Sequence, residues 1–446
     1  MKNELLDLGS KIIEKIRARG YDEAAVLVRS SRRTMLKIAN SQPSVTQHWR
    51  RLQVDLYLTK DKRIFILEIR PKDPRVFDKT LDEILKYASV VKESIFYAPL
   101  PEPKPIEKLK GLVDNRMFDY IDDPSKLGEL AIEAAHRKKI DYVAGTIDLW
   151  YREKALVTTN DIELYEDSTG FQMYLRAFAK PDGSGQWSTC STKMDEKLIE
   201  EASLEASRYA VESRDRSSVE PGRYDLVLSP LVFGNLINVV ARMTSAFSIF
   251  MGMSIFMRYK PGDRVASEKL TIRDAPRYIE LPYATSFDDE GVPTRDKPLI
   301  ENGLLKNILH NSKTASKLGV ESTGNAGWIY PHAWNIIVNS GDANLEELIG
   351  SVKRGILITN NWYTRLQNAV EGLFSTITRD ALFLIENGSI KQPVEKIRIA
   401  DTFPNLLNNI EELGRKTYNI MWWEVSTPTK LPYVLVRNIN VSKHML

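Results

Sequence analysis

The sequence predicts an α+β protein with two domains, residues 1–216 and residues 217–446, and three patterns support that prediction. Within the first domain, an order of helix, strands and helix occurs twice. The second domain opens with one long apolar segment. After that segment, almost everything is short strand and tight turn. We therefore expect two similar helix/strand/helix units in the first domain, and a β-rich second domain that contains a buried helix.

The first unit begins with a predicted amphipathic helix, because Leu5, Ile12 and Ile16 recur on one helical face. Strands are predicted after it at 24–28, 35–38, 54–58 and 64–69, and the last two form a hairpin around residues 59–62. A second amphipathic helix closes the unit. Its apolar positions run from Leu81 to Val91.

A proline-spaced segment separates the two units. Prolines at 99, 101, 103 and 105 disfavour helix and predict an extended linker near residues 98–112. The second unit then repeats the order of the first. Its predicted elements are a helix at 126–137, strands at 142–159 and 171–179, a turn at 181–185, and a long helix that buries Leu198, Ala202, Ala206 and Tyr209.

The second domain is predicted to begin with a helix over residues 231–250. The apolar run there is interrupted by Asn235, Asn238 and Arg242. An arginine at the centre of a membrane span costs about 2.5 to 3.5 kcal/mol. We therefore interpret the segment as a buried core helix and expect no membrane association.

Two identical pentapeptides, LIENG, end at Gly303 and Gly388 in this domain. Each lies between alternating apolar residues, and Asn-Gly is the favoured pair for a type I′ hairpin turn. We expect two hairpin turns, and no catalytic role for the glutamates in these segments.

Composition excludes several classes of protein. The chain of 446 residues has 62 Lys+Arg against 59 Asp+Glu, so the net charge is +3, which is too small to predict nucleic-acid binding from the bulk field. A single cysteine excludes an intrachain disulfide. The charged, amphipathic N-terminus is unlike a signal peptide, so we expect a cytoplasmic protein.

A basic stretch from Arg29 to Arg63 carries nine Lys/Arg against two Asp, with His48 and Trp49 between them. Such a stretch suits nucleic acid. The outer face of a half-buried sheet has the same pattern, and we favour this second interpretation.

Ordered segments of the second domain resemble one family. They are DLVLSP at 225–230, GDRVAS at 262–267, FDDEGVPT at 287–294, LIENGL at 299–304, STGNA at 322–326, LEELI at 345–349 and EGLFS at 371–375. Together they resemble the TldD/PmbA (TldE) family, once described as modulators of DNA gyrase. The duplicated first domain looks like that family's N-terminal domain, and the resemblance is weak over the last 30 residues.

The resemblance implies a choice between two kinds of subunit. TldD-like chains carry His-Glu-x-x-x-His on the first helix of this domain and a late cysteine, which hold zinc, with the glutamate as general base. Here Asn238 and Met243 occupy the histidine positions, and Val239 occupies the glutamate position. No cysteine lies near residues 421–424, where the resemblance places it. The chain is therefore similar to the PmbA/TldE type, and we expect no catalytic residue, metal or cofactor in it.

The family's two kinds of subunit form a zinc protease that acts on short or unfolded peptides in an enclosed cavity. The resemblance thus implies a TldD-like zinc-bearing partner, with a homodimer as the competing assembly. Candidates for peptide contact follow the predicted strand 356–359. They are Asn360, Trp362, Tyr363, Thr364, Arg365, Arg379 and Asp380. The alternative is a plain hairpin with an aromatic cross-strand pair, and the sequence favours neither.

Two other functions remain open at this point. One is a stand-alone binding protein, associated with gyrase or nucleic acid, which the basic stretch supports. The other is a hydrolase with a different site, for which the sequence offers no nucleophile and base.

Overall fold

The computed structural model describes residues 2–70, 75–88 and 90–443, and it contains two large β-sheets with helices packed against them. About a quarter of the chain is helix and more than two fifths is strand, with the strand residues divided almost equally between the two halves and the larger share of the helix in the first. The predicted α+β class is confirmed.

The first sheet has six antiparallel strands in the order β3-β2-β1-β4-β5-β6. Its two halves have a similar order of elements, since three antiparallel strands lie between helices in each, with one helix before the strands in the first half and two in the second. The strands are β1 Glu23–Ala39, β2 Gln42–Lys60, β3 Arg63–Ile69, β4 Tyr142–Thr158, β5 Glu163–Ala179 and β6 Gly183–Ser191. The helices are α1 Lys2–Ala18, α2 Arg75–Ala88, α3 Met117–Asp122, α4 Ser125–His136 and α5 Glu196–Glu212. Residues 90–116, which include the predicted linker, contain no helix or strand.

The two faces of this sheet have different neighbours. Residues such as Val26 and Ala155 alternate onto the face covered by α1. On the opposite face, Leu27 and Tyr57 pack against the second half of the chain, where the Tyr57 ring stacks on Trp328 at 5.7 Å between centroids. The second face therefore looks toward the β-rich half.

The prediction of separate strands at 24–28 and 35–38 is wrong. Both belong to β1, which continues through the polar residues between them. Arg29 is paired in register with Gln53 of β2 and Lys154 of β4, so hydrogen bonds hold the backbone on both sides. The polar side chains indicate a partly open face of the sheet, not the end of a strand.

The second sheet has eleven strands. Strands β17, β15, β13, β12 and β7 form a closed ring, because β17 also pairs with β7. Its strands are β7 Gly222–Leu228, β8 Ile272–Asp274, β9 Lys297–Glu301, β10 Leu304–Leu305, β11 Ile336–Val338, β12 Arg354–Asn368, β13 Leu373–Glu386, β14 Ser389–Pro393, β15 Ile397–Thr402, β16 Ile410–Trp422 and β17 Val425–Lys443. The helices of this half are α6 Pro230–Met243, α7 Ala246–Phe250, α8 Ser312–Leu318, α9 Leu345–Gly350 and α10 Phe403–Asn408, with a 3₁₀ turn at Ile255–Arg258.

Helix α6 packs against β12, β16 and β17. Every residue of α6 except Arg242 is buried, which confirms the predicted core helix. Ser229 caps its N-terminus by accepting a hydrogen bond from Val232 N. The predicted end at residue 250 is wrong. The helix stops at Met243 because the backbone becomes extended at Ser245, with φ −66° and ψ 127°, and the Ala246 amide bonds to Leu309 O; a separate helix, α7, follows.

Both Asn-Gly turns are confirmed. At Asn302-Gly303 the φ angles are 49° and 76°, and at Asn387-Gly388 they are 49° and 78°. Two consecutive positive φ angles are the mark of a type I′ turn. Among the described residues, no helix is both long enough and apolar enough to cross a membrane.

Candidate functional site

The three degenerate metal-motif positions lie in the second half of α6, next to the start of β17. Both polar atoms of the Asn238 side-chain amide make hydrogen bonds. Its Oδ1 accepts a hydrogen bond from Thr427 N at 2.9 Å, and its Nδ2 donates to Thr429 Oγ1 at 2.8 Å. Asn238 is therefore a structural link that fastens α6 to β17.

Val239 and Met243 are packed into the main hydrophobic core, with 5% and 2% of their surface exposed. Zinc in proteins is held by Cys, His, Asp or Glu side chains. In the ranges that the structure describes, no group of three or more such side chains is placed to hold a metal ion. The residues at these positions do not fit zinc.

Cys190, the single cysteine, does not replace the missing zinc ligands. It is fully buried with Trp150, Leu281 and Met421, and burial raises the pKa of its thiol well above the ordinary value. A thiol must lose its proton to act as a metal ligand or nucleophile. Cys190 is a packed apolar side chain.

A buried amide network lies one turn earlier on α6. Asn235 Oδ1 accepts hydrogen bonds from Asn361 Nδ2 at 3.0 Å and from the Thr364 hydroxyl at 2.5 Å. Its Nδ2 donates to Glu424 O at 2.8 Å. The Thr364 hydroxyl also contacts that of Thr376 at 2.9 Å. The network ties α6 to the β12–β13 hairpin and to the β16–β17 turn. It therefore fixes the positions of the residues that are exposed on the hairpin and on the turn.

The predicted peptide-contact residues divide into two groups. Asn360 and Asp380 are completely buried. Asn360 Nδ2 donates to Asp380 at 2.8 Å, and Arg176 of the first sheet donates to the same carboxylate at 2.6 Å. These two residues hold the hairpin and the first sheet together and have no open surface for a ligand, whereas Thr364 is half-buried and bonds the hairpin to α6.

The other group includes Trp362 and Tyr363, which together with Trp423, a residue that was not predicted, form an exposed aromatic rim. Their exposed fractions are 38%, 51% and 63%. The Arg379 guanidinium lies 5.1 Å from the Trp362 ring and 5.8 Å from the Trp423 ring, and Arg365 lies 4.1 Å from the Tyr363 ring. The rim is a surface on which an extended peptide can lay aromatic or cationic groups.

The plain-hairpin alternative describes only part of this region. Strands β12 and β13 do form a hairpin, but Trp362 lies opposite Ile377, and the pairing shifts register between Trp362 and Arg365. Tyr363 has a φ of +60°, and its amide donates to Glu424 Oε1 at 3.1 Å. The two aromatic residues are therefore consecutive in the chain, not a cross-strand pair, and a local distortion turns both outward.

Burial lowers the pKa of Arg379, although the neighbouring Asp380 carboxylate opposes that shift. Arg379 Nη1 is buried and has no hydrogen-bond partner among the described residues. Arg379 thus supplies a partly desolvated cation between two tryptophans.

A cavity of about 400 Å³ lies between the first sheet and the β-rich half. Its sheet wall includes Arg29, Arg152 and Lys154, and its opposite wall includes Tyr283 and Thr427. Because Thr427 is the residue that bonds to Asn238, the cavity begins beside the degenerate motif. The sequence did not predict it, since its walls come from segments up to about 400 residues apart and only the fold brings them together.

The basic stretch is partly paired and partly exposed. Arg29 forms ion pairs with Asp55 and Asp289, and Arg33 forms one with Asp148. Residues 42–48 and 50–52 of β2 are exposed. The solvated-face interpretation therefore holds for residues 42–48 and 50–52 of β2, whereas Arg29 and Arg33 are held against the sheet by ion pairs with Asp55, Asp289 and Asp148.

Comparison with known families gives two matches. The family model described as PmbA/TldA metallopeptidase C-terminal domain matches residues 221–443, and the one described as the central domain matches residues 115–214. A protein named metalloprotease from Methanothermobacter thermautotrophicus is 28% identical over 305 residues, which cover 64% of this chain and 66% of that protein. The chain spans between 44% and 66% of the lengths of the first three curated relatives.

Solved structures match over nearly the whole chain. A putative modulator of a DNA gyrase from Thermotoga maritima superposes with a TM-score of 0.85 at 25% identity, covering 98% of this chain and 99% of that chain. TldE from Thermococcus kodakarensis superposes with a TM-score of 0.85 at 20% identity, covering 99% of both chains, which shows a shared fold.

Proposed function

The chain belongs to the PmbA/TldD metallopeptidase family, as its resemblance in sequence implied, and on that premise we propose that it is the non-catalytic subunit of a two-subunit zinc metallopeptidase. In this role it degrades or processes short or unfolded peptides together with a TldD-like subunit that carries the zinc. The chain itself supplies walls and peptide contacts.

One observation carries the proposal. At the position where the resemblance places a zinc ligand, both polar atoms of the Asn238 side chain are hydrogen-bonded to β17. Val239 in the general-base position has no group that takes a proton. Loss of a general base alone typically lowers a rate about 10² to 10⁴-fold. A hydrolytic site at α6 would thus need ligands and a base that these positions do not provide.

The exposed surfaces support a role in holding peptide. The aromatic rim and the cavity beside Thr427 are both linked to α6, since the amide network joins α6 to Glu424, which also accepts the Tyr363 amide, and Asn238 joins α6 to Thr427 of the cavity wall. An extended peptide can be held by backbone pairing while pockets read its side chains.

Zinc content and peptide hydrolysis test the proposal. We expect the purified chain to hold no stoichiometric zinc after dialysis and to leave a short unstructured peptide intact. Together with a TldD-like, zinc-bearing subunit it should co-elute on size exclusion, and the pair should cleave the peptide faster than the zinc-bearing subunit alone. About one zinc per chain with chelator-sensitive hydrolysis by this chain would refute the non-catalytic assignment.

The second candidate is a stand-alone binding protein, for which the exposed Arg50 and Arg51 of β2 are the supporting observation. In that case the chain should not co-elute with the zinc-bearing subunit, and the activity of that subunit should not change when the chain is added. Self-association through the same surface is the competing assembly, and the elution volume of the chain alone separates the two.

A further inference from the structure

Four side chains form a row across the sheet wall of the cavity. Strand register places Arg51 of β2 beside Ser31 of β1, Ser31 beside Arg152 of β4, and Arg152 beside Ser168 of β5. All four line the cavity of about 400 Å³. We call them the donor row, since each ends in a hydroxyl or a guanidinium.

The donor row has no partner of its own. Within the described chain, none of its four side chains makes a hydrogen bond or an ion pair. The next row along the sheet differs, because Lys154 lies 3.4 Å from Glu166, and Arg29 lies 3.3 Å from Asp289. The neighbouring acids are thus already satisfied, and the donor row keeps an excess of positive charge and free donors.

The Arg152 side chain is held in place although no carboxylate pairs with its guanidinium. Its guanidinium carbon lies 4.4 Å from the Trp150 ring and 5.5 Å from the Tyr283 ring. Trp150 is itself fixed, because it is 2% exposed and lies so close to Gly170 that a Cβ there would be 2.7 Å from the indole. Stacking of a guanidinium on aromatic faces leaves its N–H edges available for planar, bidentate recognition.

We propose that the donor row binds a carboxylate of the peptide, at its C-terminus or on an acidic side chain. Arg152 supplies the ion pair, Ser31 and Ser168 supply hydroxyl donors on either side, and Arg51 adds positive charge at the rim of the cavity. The assignment of a peptide rests on the proposed function, whereas the affinity for a carboxylate rests on the donor row alone.

Other charges around the site are compatible with an anion. The side chain of Glu153 points to the opposite face of β4, where it accepts a hydrogen bond from Tyr165 at 2.8 Å. Burial lowers the pKa of His332, so this residue contributes a neutral ring to the cavity wall. The cavity volume lies at the lower end of the range of small-ligand sites, about 300 to 1,000 Å³, and suits the end of a peptide.

Titration calorimetry on the full chain, without partner or zinc, tests this site. The probes are acetyl-trialanine with a free carboxylate, the same peptide as its amide, acetyl-Ala-Glu-Ala-amide, and inorganic phosphate. We expect the free acid or the glutamyl amide to bind about 10 to 100-fold more tightly than the trialanine amide, as for a hydrogen-bonded charge pair. Which of the two binds identifies the terminus or the side chain as the source of the carboxylate.

Variants connect this binding to the donor row. Arg152→Gln should reduce the affinity for the carboxylate probe to that of the amide, and Ser31→Ala with Ser168→Ala should weaken it severalfold with little effect on folding. Arg50→Gln is the matched control, since Arg50 is an exposed arginine on the other face of β2 and should bind like the unmodified chain. If Arg152→Gln fails to fold, the serine variants decide the result.

Several results would overturn the proposal. They are equal affinity for acid and amide, unchanged binding in the folded Arg152→Gln variant, preference for phosphate over both carboxylate peptides, or no binding of either up to about 10 mM. Because the readout needs no hydrolysis, its failure leaves the co-elution and activity tests of the proposed function unaffected.

Discussion

Asn238 shows how one residue can occupy a metal-motif position and serve the fold instead. Its amide joins α6 to β17 through Thr427 and Thr429. Asn238→Ala should lower the free energy of unfolding by about 1 to 3 kcal/mol, because the buried hydroxyl of Thr429 and the half-buried N–H of Thr427 lose a hydrogen-bond partner. Urea unfolding measures this change. Asn115→Ala, at an exposed asparagine with no side-chain hydrogen bond within the described residues, should change it by less than about 0.5 kcal/mol.

His310 predicts a pH dependence of stability. It is 7% exposed, and burial lowers the pKa of its imidazole below the ordinary value of 6.5. In the unfolded chain the ring takes up a proton near that ordinary value, whereas in the folded chain it does so only at lower pH. Its contribution to stability is therefore complete above pH 6.5 and is lost as the pH falls toward the folded pKa.

Removal of His310 should therefore reduce the loss of stability in acid. We expect the difference in unfolding free energy between pH 7 and pH 5 to be smaller in His310→Gln than in the unmodified chain. His136→Gln, at an exposed histidine, is the control and should keep the original difference. An unchanged difference in the His310 variant would show that other groups govern stability in this range.

At the scale of elements, the Asn387-Gly388 turn depends on its glycine. Gly388 has a φ of +78°, and a Cβ there would lie 2.7 Å from Gly350 O. Gly388→Ala should therefore lower the free energy of unfolding by at least about 1 to 2 kcal/mol, measured by urea unfolding. Gly350→Ala is a matched control, because a Cβ there meets nothing within 4 Å. An equal loss in both variants would contradict this account of the turn.

Elements whose structure is determined by residues close together in the sequence were predictable. Asn-Gly pairs encode type I′ turns within two residues, and the apolar run of α6 encodes its burial. The continuity of β1 was not predictable, because its polar middle is held by β2 and β4, which pair with it only in the folded chain. The end of α6 was not predictable either, because the Ala246 amide bonds to Leu309 O, a backbone partner that lies far away in the sequence.

The candidate site was predictable to a similar degree. The sequence located the degenerate motif and the Trp362-Tyr363 pair, because both are short local patterns. It missed Trp423, whose only signal was a pair of adjacent tryptophans before a turn. It also missed the donor row, because strand register between four strands brings Arg51, Arg152 and the serines together.

At the scale of the molecule, the two halves are joined by polar and apolar contacts. Arg176 of the first sheet bonds to Asp380 of the ring, and Ser188 of β6 donates to Met421 O. Tyr57 stacks on Trp328 across the same boundary. The rim and the cavity therefore belong to one framework, and a peptide bound at both would span it.

The rim gives a prediction for the assembled enzyme. Trp423 is 63% exposed and lies beside Arg379, so its removal costs little packing within the chain but removes one aromatic face of the rim. In the complex with a TldD-like subunit, Trp423→Ala should raise KM for an unstructured peptide about 5-fold or more, as loss of an aromatic contact does at binding surfaces.

The value of kcat should change little in that complex, because the residues that act on the scissile bond belong to the partner in our proposal. Tyr87→Ala, at a tyrosine on α2 that is 65% exposed, is the matched control and should leave both constants unchanged. A fall in kcat at constant KM would place Trp423 in the chemical step, and equal effects of both variants would remove the rim from substrate binding. Either result would require another surface to hold the peptide, and the same kinetics with Arg152→Gln would then test the donor row.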